Sequence, residues 1–170
     1  MSIICIPNFF NAQECTHYIK MLKDKQAPNF TDSGQFTNKK WIDLDLAKSF
    51  YSRLGGERGC GIDNALYPNK YIMAGHYIPG NSFSIHTDTG LFYDSQLNHK
   101  SQWTLLVYLN ENFHGGETIF YDTNTWDITH TIKPETGKAL IFDIDLWHSG
   151  APVENGEKYW IGCEIIGKIK

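Results

Sequence analysis

The chain has 170 residues, 41% of them hydrophobic and 20% charged, which excludes a disordered or collagen-like polymer. A chain of this length buries about 70% of the surface its unfolded form exposes, so its core does not depend on disulfides. The formal net charge of −4 gives no global support to phosphate-backbone binding and leaves only a local basic groove as a route to it.

Aromatic residues make up 14%, including five Trp and nine Tyr, and lean toward a sheet-rich fold with a lined pocket. Cys5, Cys15, Cys60 and Cys163 form no Cys-x-x-Cys pair, which removes the common zinc and redox patterns. They read as inert thiols in a reducing compartment. The opening apolar run ends at Pro7, too short for a signal peptide, and no window approaches 18 apolar residues. The expectation is a cytoplasmic, single-domain chain without a membrane span. The sequon at Asn29 reads as chance.

In chain order, residues 8–60 read as mainly helical. Asn11 with Glu14 forms a capping-box pattern, followed by Cys15, Tyr18, Ile19 and Leu22 on one helical face. The polar stretch 23–40 reads as a long loop. A second helix is predicted over 43–54, with Leu46, Ala47, Phe50 and Leu54 on one face and Gly55-Gly56 as its stop. From residue 70 to 168 the texture changes to short β-prone segments at 71–78, 83–85, 103–109, 118–121, 128–132, 139–142 and 158–166, separated by Gly-, Pro- and Asn-rich turns. No helix alternates with these strands, which disfavours a parallel α/β sheet. The pattern predicts a mostly β fold, a double-sheet jelly roll or barrel, with the N-terminal helices packed outside.

His86 and Asp88 stand two apart in an extended segment and so share a face, offering an imidazole and a carboxylate to one cation. Two His and one carboxylate, leaving three positions open, suit non-haem Fe(II) chemistry with oxygen. The third donor must come from His17, His76, His99, His114, His130 or His148. Of these, His148 follows an apolar strand and precedes a turn, where a strand end can deliver it to a barrel mouth. The only arginines, Arg53 and Arg58, precede the β region, so an anion inside the barrel must be met chiefly by lysine. Lys158 opens the last strand, on one face with Trp160, Gly162, Glu164 and Ile166. Tyr159, Ile161, Cys163 and Ile165 take the other face. An ammonium there can pair with a carboxylate in a partly dry pocket.

Read in order, the chain resembles the Fe(II)- and 2-oxoglutarate-dependent dioxygenases, specifically the prolyl 4-hydroxylase-like branch. The matching elements are Tyr77-x-x-Gly80, His86-x-Asp88 and the strand Thr104 to Asn110. They continue with Gly115-Gly-Glu-Thr-Ile-Phe120, Pro134-x-x-Gly137-x-Ala-Leu-Ile-Phe142, His148-Ser-Gly-Ala-Pro-Val153 and Gly156-x-Lys158-Tyr159. Residues 3–22 resemble the family's opening strand and helix. The resemblance covers nearly the whole chain and implies a double-stranded β-helix.

It further implies Fe(II) held by His86, Asp88 and His148, with 2-oxoglutarate and O2 as co-substrates and ascorbate as a reductant. Lys158 would pair with the far carboxylate, and Tyr77, Tyr108 and Thr118 would hydrogen-bond the co-substrate. The implied reaction couples decarboxylation to succinate and CO2 with hydroxylation of an unactivated C–H, on a prolyl or other protein side chain or on a small molecule. Collagen-type relatives carry a substrate-binding arginine three residues before the strand threonine. Here that position is Ser101, and Trp103 stands where a smaller residue is usual. Trp103, Phe92 and Tyr93 are expected at the rim, as substrate contacts, while Trp147 and Trp160 read as packing. Gly115-Gly116 alone reads as a hairpin turn.

Two other functions compete. A cupin-type jelly roll could hold a metal without turnover, but such a protein has no use for the cation of Lys158. An oxidative nucleic-acid demethylase shares His-x-Asp…His but usually places arginines after the distal histidine, and none occurs there.

Overall fold

The computed structural model describes residues 3–24, 30–32, 37–56, 62, 65–88, 90 and 92–169, with the backbone alone described at 30–32 and 37–39. Asn29, Arg58 and Cys60 lie outside these residues. Strand β1 (Ile3–Ile6) and helix α1 (Ala12–Lys23) lead into β2 (Phe30–Asp32), β3 (Thr37–Ile42) and helix α2 (Leu44–Arg53). Then come β4 (Ala65–Pro68), β5 (Tyr71–Tyr77), β6 (Phe83–His86), β7 (Tyr93–Asp94), β8 (His99–Tyr108), β9 (His114–Gly115) and β10 (Thr118–Tyr121). The chain closes with β11 (Ile128–Ile132), β12 (Ala139–Asp143), β13 (His148–Gly150), β14 (Val153–Asn155) and β15 (Lys158–Lys168).

Two antiparallel sheets face each other. The larger runs β1-β12-β8-β15-β5-β3-β2, with β4 added on β15 and β7 on β8; the smaller runs β11-β10-β13-β6. The chain passes from β5 to β6, β8 to β10, β12 to β13 and β13 to β15, crossing between sheets each time. This is the jelly roll expected from the strand spacing.

Both predicted helices form. The Asn11 side chain accepts from the Gln13 and Glu14 amides, and Glu14 returns the bond to the Asn11 amide at 2.8 Å. Asp43 caps α2 by accepting from the Leu46 amide, and Gly55 and Gly56 follow its end with positive φ. Phe50 of α2 is fully buried, packed with Phe9 and Phe10 against Ile72, Leu105, Val107, Ile161 and Cys163 on the outer face of the large sheet. A second apolar cluster of Tyr108, Phe120, Leu140, Phe142 and Leu146 fills the space between the sheets. No helix among the described residues is long and apolar enough to cross a membrane.

The stretch 23–40 departs from the expected loop. It contains β2 and β3, and β3 pairs along β5 from Thr37 opposite His76 to Ile42 opposite Tyr71. Its residues carry little apolar periodicity, and the strand is held by the open edge of β5. The N-terminal third is therefore helices and edge strands together. The short strands β4, β7, β9, β13 and β14 also had no sequence signal, being too brief to show alternation.

Candidate active site

His86 ends β6 and His148 opens β13. The two strands pair antiparallel with these residues directly opposite, which brings their rings to 4.2 Å between centroids. Asp88 follows β6, and its amide donates to Ile144 O at 3.1 Å. One donor atom from each of His86, Asp88 and His148 lies within 4.8 Å of the others. His86 Nε2 is 3.5 Å from Asp88 Oδ1, and His148 Nε2 is 3.9 Å from Oδ2.

The far side of each ring explains this orientation. His86 Nδ1 lies 2.8 Å from Ser84 O, and His148 Nδ1 lies 2.9 Å from Leu146 O. A carbonyl only accepts, so Nδ1 carries the proton and Nε2 keeps its lone pair toward Asp88. Thr104 Oγ1 donates to Asp88 Oδ2 at 2.5 Å and holds the carboxylate plane. Burial lowers the His148 pKa, against the opposing pull of Asp88, and favours neutral imidazole. Burial pushes the Asp88 carboxyl up, but hydrogen bonding and charge from His86, His148 and Thr104 outweigh it and hold the group below its usual range. Two neutral imidazoles and one carboxylate, with lone pairs converging, fit a divalent metal of the Fe(II) type.

These three residues line a cavity of about 310 Å³ between the sheets, together with Met73, Tyr77, Thr104, Leu106, Thr118, Phe142, Lys158 and Trp160. Lys158 is only 4% exposed. Its Nζ donates to Gly116 O at 2.7 Å and lies 5.4 and 5.6 Å from the Tyr77 and Tyr108 ring centroids. Among the described residues it forms no ion pair, and burial lowers its pKa to about 8, with the more distant Glu117 opposing. A desolvated ammonium without a counter-ion is a prepared site for a ligand carboxylate.

Gly115 and Gly116 do more than turn the chain. Both have positive φ, and this aims the Gly116 carbonyl at Lys158. Tyr108 is fully buried and shares a 2.7 Å hydrogen bond with Thr118, standing behind it.

The structure thus brings His86, Asp88, His148, Lys158, Tyr77 and Thr118 to one cavity, with Tyr108 one layer behind. Three expected rim residues fall elsewhere. Trp103 points to the outer face of β8, in the helix-packed core, because the pleat alternates it with Thr104. Phe92 and Tyr93 line a separate groove with Tyr67 and Tyr71.

Trp160, expected only to pack, lines the pocket; its indole lies over Gly75, where an added Cβ would come within 2.2 Å of Trp160 Nε1. Its two-residue spacing from Lys158 was the available signal. Thr104 and Met73 had none, since only strand pairing puts them beside the cavity. His76 stacks on Tyr159 at 4.3 Å and bonds Glu157, and His130 is exposed in β11. His17, His76, His99, His114 and His130 join no other metal-type cluster among the described residues.

Comparison with known proteins agrees with this chemistry. Residues 72–163 match the family model of the 2OG-Fe(II) oxygenase superfamily. A curated relative named "Probable prolyl 4-hydroxylase 6", from Arabidopsis thaliana, is 26% identical over 211 residues, covering 95% of this chain and 69% of that protein. Among solved structures, the viral collagen prolyl hydroxylase of Paramecium Bursaria Chlorella virus-1, in complex with 2-oxoglutarate, has a TM-score of 0.71 at 22% identity, covering 98% of this chain and 97% of that one. A Trichoplax adhaerens prolyl hydroxylase, in complex with a peptide fragment of the hypoxia inducible factor oxygen degradation domain, has a TM-score of 0.70 at 18% identity, covering 97% and 83%. With the jelly roll, the His-Asp-His cluster and a family match over more than half its length, the chain belongs to the 2OG-Fe(II) oxygenase superfamily and is a prolyl 4-hydroxylase-like, 2-oxoglutarate- and Fe(II)-dependent dioxygenase.

Proposed function

We propose that this single-domain dioxygenase hydroxylates a peptidyl side chain, with proline the first candidate. His86, Asp88 and His148 would hold the Fe(II), and Lys158 the far carboxylate of 2-oxoglutarate. The observation that carries this reading is one cavity with three metal donors at one wall and, at another, a buried ammonium that forms no ion pair among the described residues. Bound Fe(II) supplies the oxygen chemistry that couples 2-oxoglutarate decarboxylation to C–H hydroxylation.

The residues do the positioning. The Nδ1–H bonds to Ser84 and Leu146 lock both imidazole tautomers, and Thr104 sets the Asp88 carboxylate. Tyr77 and Thr118 offer hydroxyls beside Lys158, with Tyr108 orienting Thr118. Phe142, Leu106 and Trp160 exclude water. Ascorbate serves as reductant in this reading. The thiols of Cys5, Cys15 and Cys163 suit a cytoplasmic, reducing setting.

Prolyl peptide is favoured by the names of the relatives. Ser101, which stands in place of the collagen-type arginine, is buried and donates to Glu164, so the peptide must be held by other groups.

Anaerobic titration with Fe(II) and 2-oxoglutarate tests the cofactor roles through the visible charge-transfer band of the chelate. Air is then admitted with and without prolyl peptides, succinate is quantified, and oxygen gain is located by mass spectrometry. A band that requires 2-oxoglutarate and vanishes in His86→Ala, with oxygen on proline, is the expected result. Succinate without peptide oxidation would move the substrate to a small molecule. Metal binding without the band would remove the role given to Lys158.

A further inference from the structure

Strands β5 and β15 pair so that Tyr77 stands opposite Lys158 and Gly75 opposite Trp160. Opposite residues share a face, and Tyr77, Lys158 and Trp160 all line the metal pocket. A glycine weakens the interior of a strand, and Gly75 does not have the positive φ that would require one. Its use is space. An added Cβ would fall within 2.2 Å of Trp160 Nε1, 2.6 Å of Trp160 Cε2 and 2.9 Å of Tyr77 Cε2. The missing side chain is a slot, in which the nitrogen edge of the indole meets the hydroxyl-bearing end of the Tyr77 ring.

The chemistry of the two groups gives this contact a direction. An indole N–H only donates, whereas a phenol oxygen both accepts and donates. The hydrogen bond therefore runs from Trp160 Nε1 to the Tyr77 oxygen and makes Tyr77 an acceptor on that side. Burial lifts the Tyr77 pKa well above its usual range, against the lowering effect of the Trp160 bond, so the phenol keeps its own proton to donate.

Lys158 Nζ lies 5.4 Å from the same ring, and a carboxylate paired with that ammonium is the natural acceptor for the phenol. Across Lys158 the second phenol, Tyr108, is tied in a comparable way, to Thr118 at 2.7 Å. Packing does not call for an indole here. Trp160 is only partly buried, beside Tyr77, Val153 and Phe83, and a phenylalanine would cover the same apolar neighbours without an N–H.

We infer that Trp160 is a positioning residue for 2-oxoglutarate, its N–H, admitted by the slot at Gly75, fixing Tyr77 as donor to the far carboxylate. The inference rests on the co-substrate reading above and adds to it the group that orients Tyr77.

The test is a double-mutant cycle read by calorimetric titration of 2-oxoglutarate into the full chain loaded with Zn(II), a redox-inert ion for the same donors. Trp160→Phe keeps a ring in the slot and removes the donor, and its Kd for 2-oxoglutarate rises about fivefold. Tyr77→Phe raises the Kd about tenfold or more, since the lost bond is to a charged group. The double variant binds no worse than Tyr77→Phe, because the indole acts through the phenol. Zn(II) affinity and the urea midpoint of Trp160→Phe stay at the wild-type values. An unchanged Kd in Trp160→Phe, or losses that multiply in the double variant, overturns the inference. So does a Trp160→Phe protein that loses stability and Zn(II) affinity together, which would make Trp160 structural. If the wild type takes up no 2-oxoglutarate, the co-substrate reading fails and this inference with it; failure confined to the variants leaves that reading standing.

Discussion

The two faces of β15 divide stability from chemistry within one strand. Tyr159, Ile161, Cys163 and Ile165 are buried against the helices in a continuous apolar core. Lys158 and Trp160, one residue out of phase, face the cavity that holds His86, Asp88 and His148. The pocket-facing end of the strand lies outside this helix-packed core, so a polar group can be buried where a ligand will meet it. The lesson is that Lys158, although only 4% exposed, is not a core residue. It carries a desolvation cost that the fold sustains and that a carboxylate relieves.

The largest test of this division is Asp88→Ala. It should lower succinate formation by at least about a thousandfold, because the metal site loses its only carboxylate, while circular dichroism stays unchanged. Retained turnover would break the comparison at its chemical end. Ile161→Ala should do the reverse, removing roughly 2–5 kcal/mol from unfolding free energy in urea while the folded protein keeps its affinity for 2-oxoglutarate.

Lys158→Met keeps the length of the side chain and removes the charge. The apparent 2-oxoglutarate requirement should rise by about thirtyfold or more, with Fe(II) affinity and apo stability undiminished. A loss of stability instead would make Lys158 structural.

The pH dependence sharpens the same point. Burial holds the Lys158 pKa near 8 against an ordinary 10.5, so the folded state loses its proton first. Between these values the unfolded chain binds more protons, and this group makes the apo-protein more stable as pH rises. Affinity for 2-oxoglutarate moves the other way, falling by up to about tenfold per pH unit above 8. Calorimetric titrations from pH 7 to 10 check both signs. The smallest effect belongs to Asn11→Ala, which removes the α1 cap and should cost about 1 kcal/mol without changing either cofactor affinity.

Much of the architecture was readable from local pattern. The Asn11–Glu14 capping box, the apolar face of 43–54 and the alternation in 158–166 all predicted what formed, since caps, helical faces and pleats depend on neighbours in sequence. Strand β3 escaped because Thr37–Ile42 is polar and pairs only where β5 offers an edge. Trp103 lies on the helix-packed side of β8, opposite its neighbour Thr104, and Phe92 and Tyr93 border a groove rather than the pocket. Thr104 could not be singled out as the group that holds Asp88, as sixteen residues separate them.

By itself, the sequence determined the helices, most strands, the jelly-roll class and the residue types of an Fe(II) and 2-oxoglutarate site. Each of these follows from short-range periodicity or from motifs read in order. Only the tertiary structure decided that His148 faces His86 on the neighbouring strand, that Lys158 is buried with no ion pair among the described residues, and that tyrosines distant in sequence form one groove. Those are long-range juxtapositions, set by which strand edges pair and which pleat faces inward.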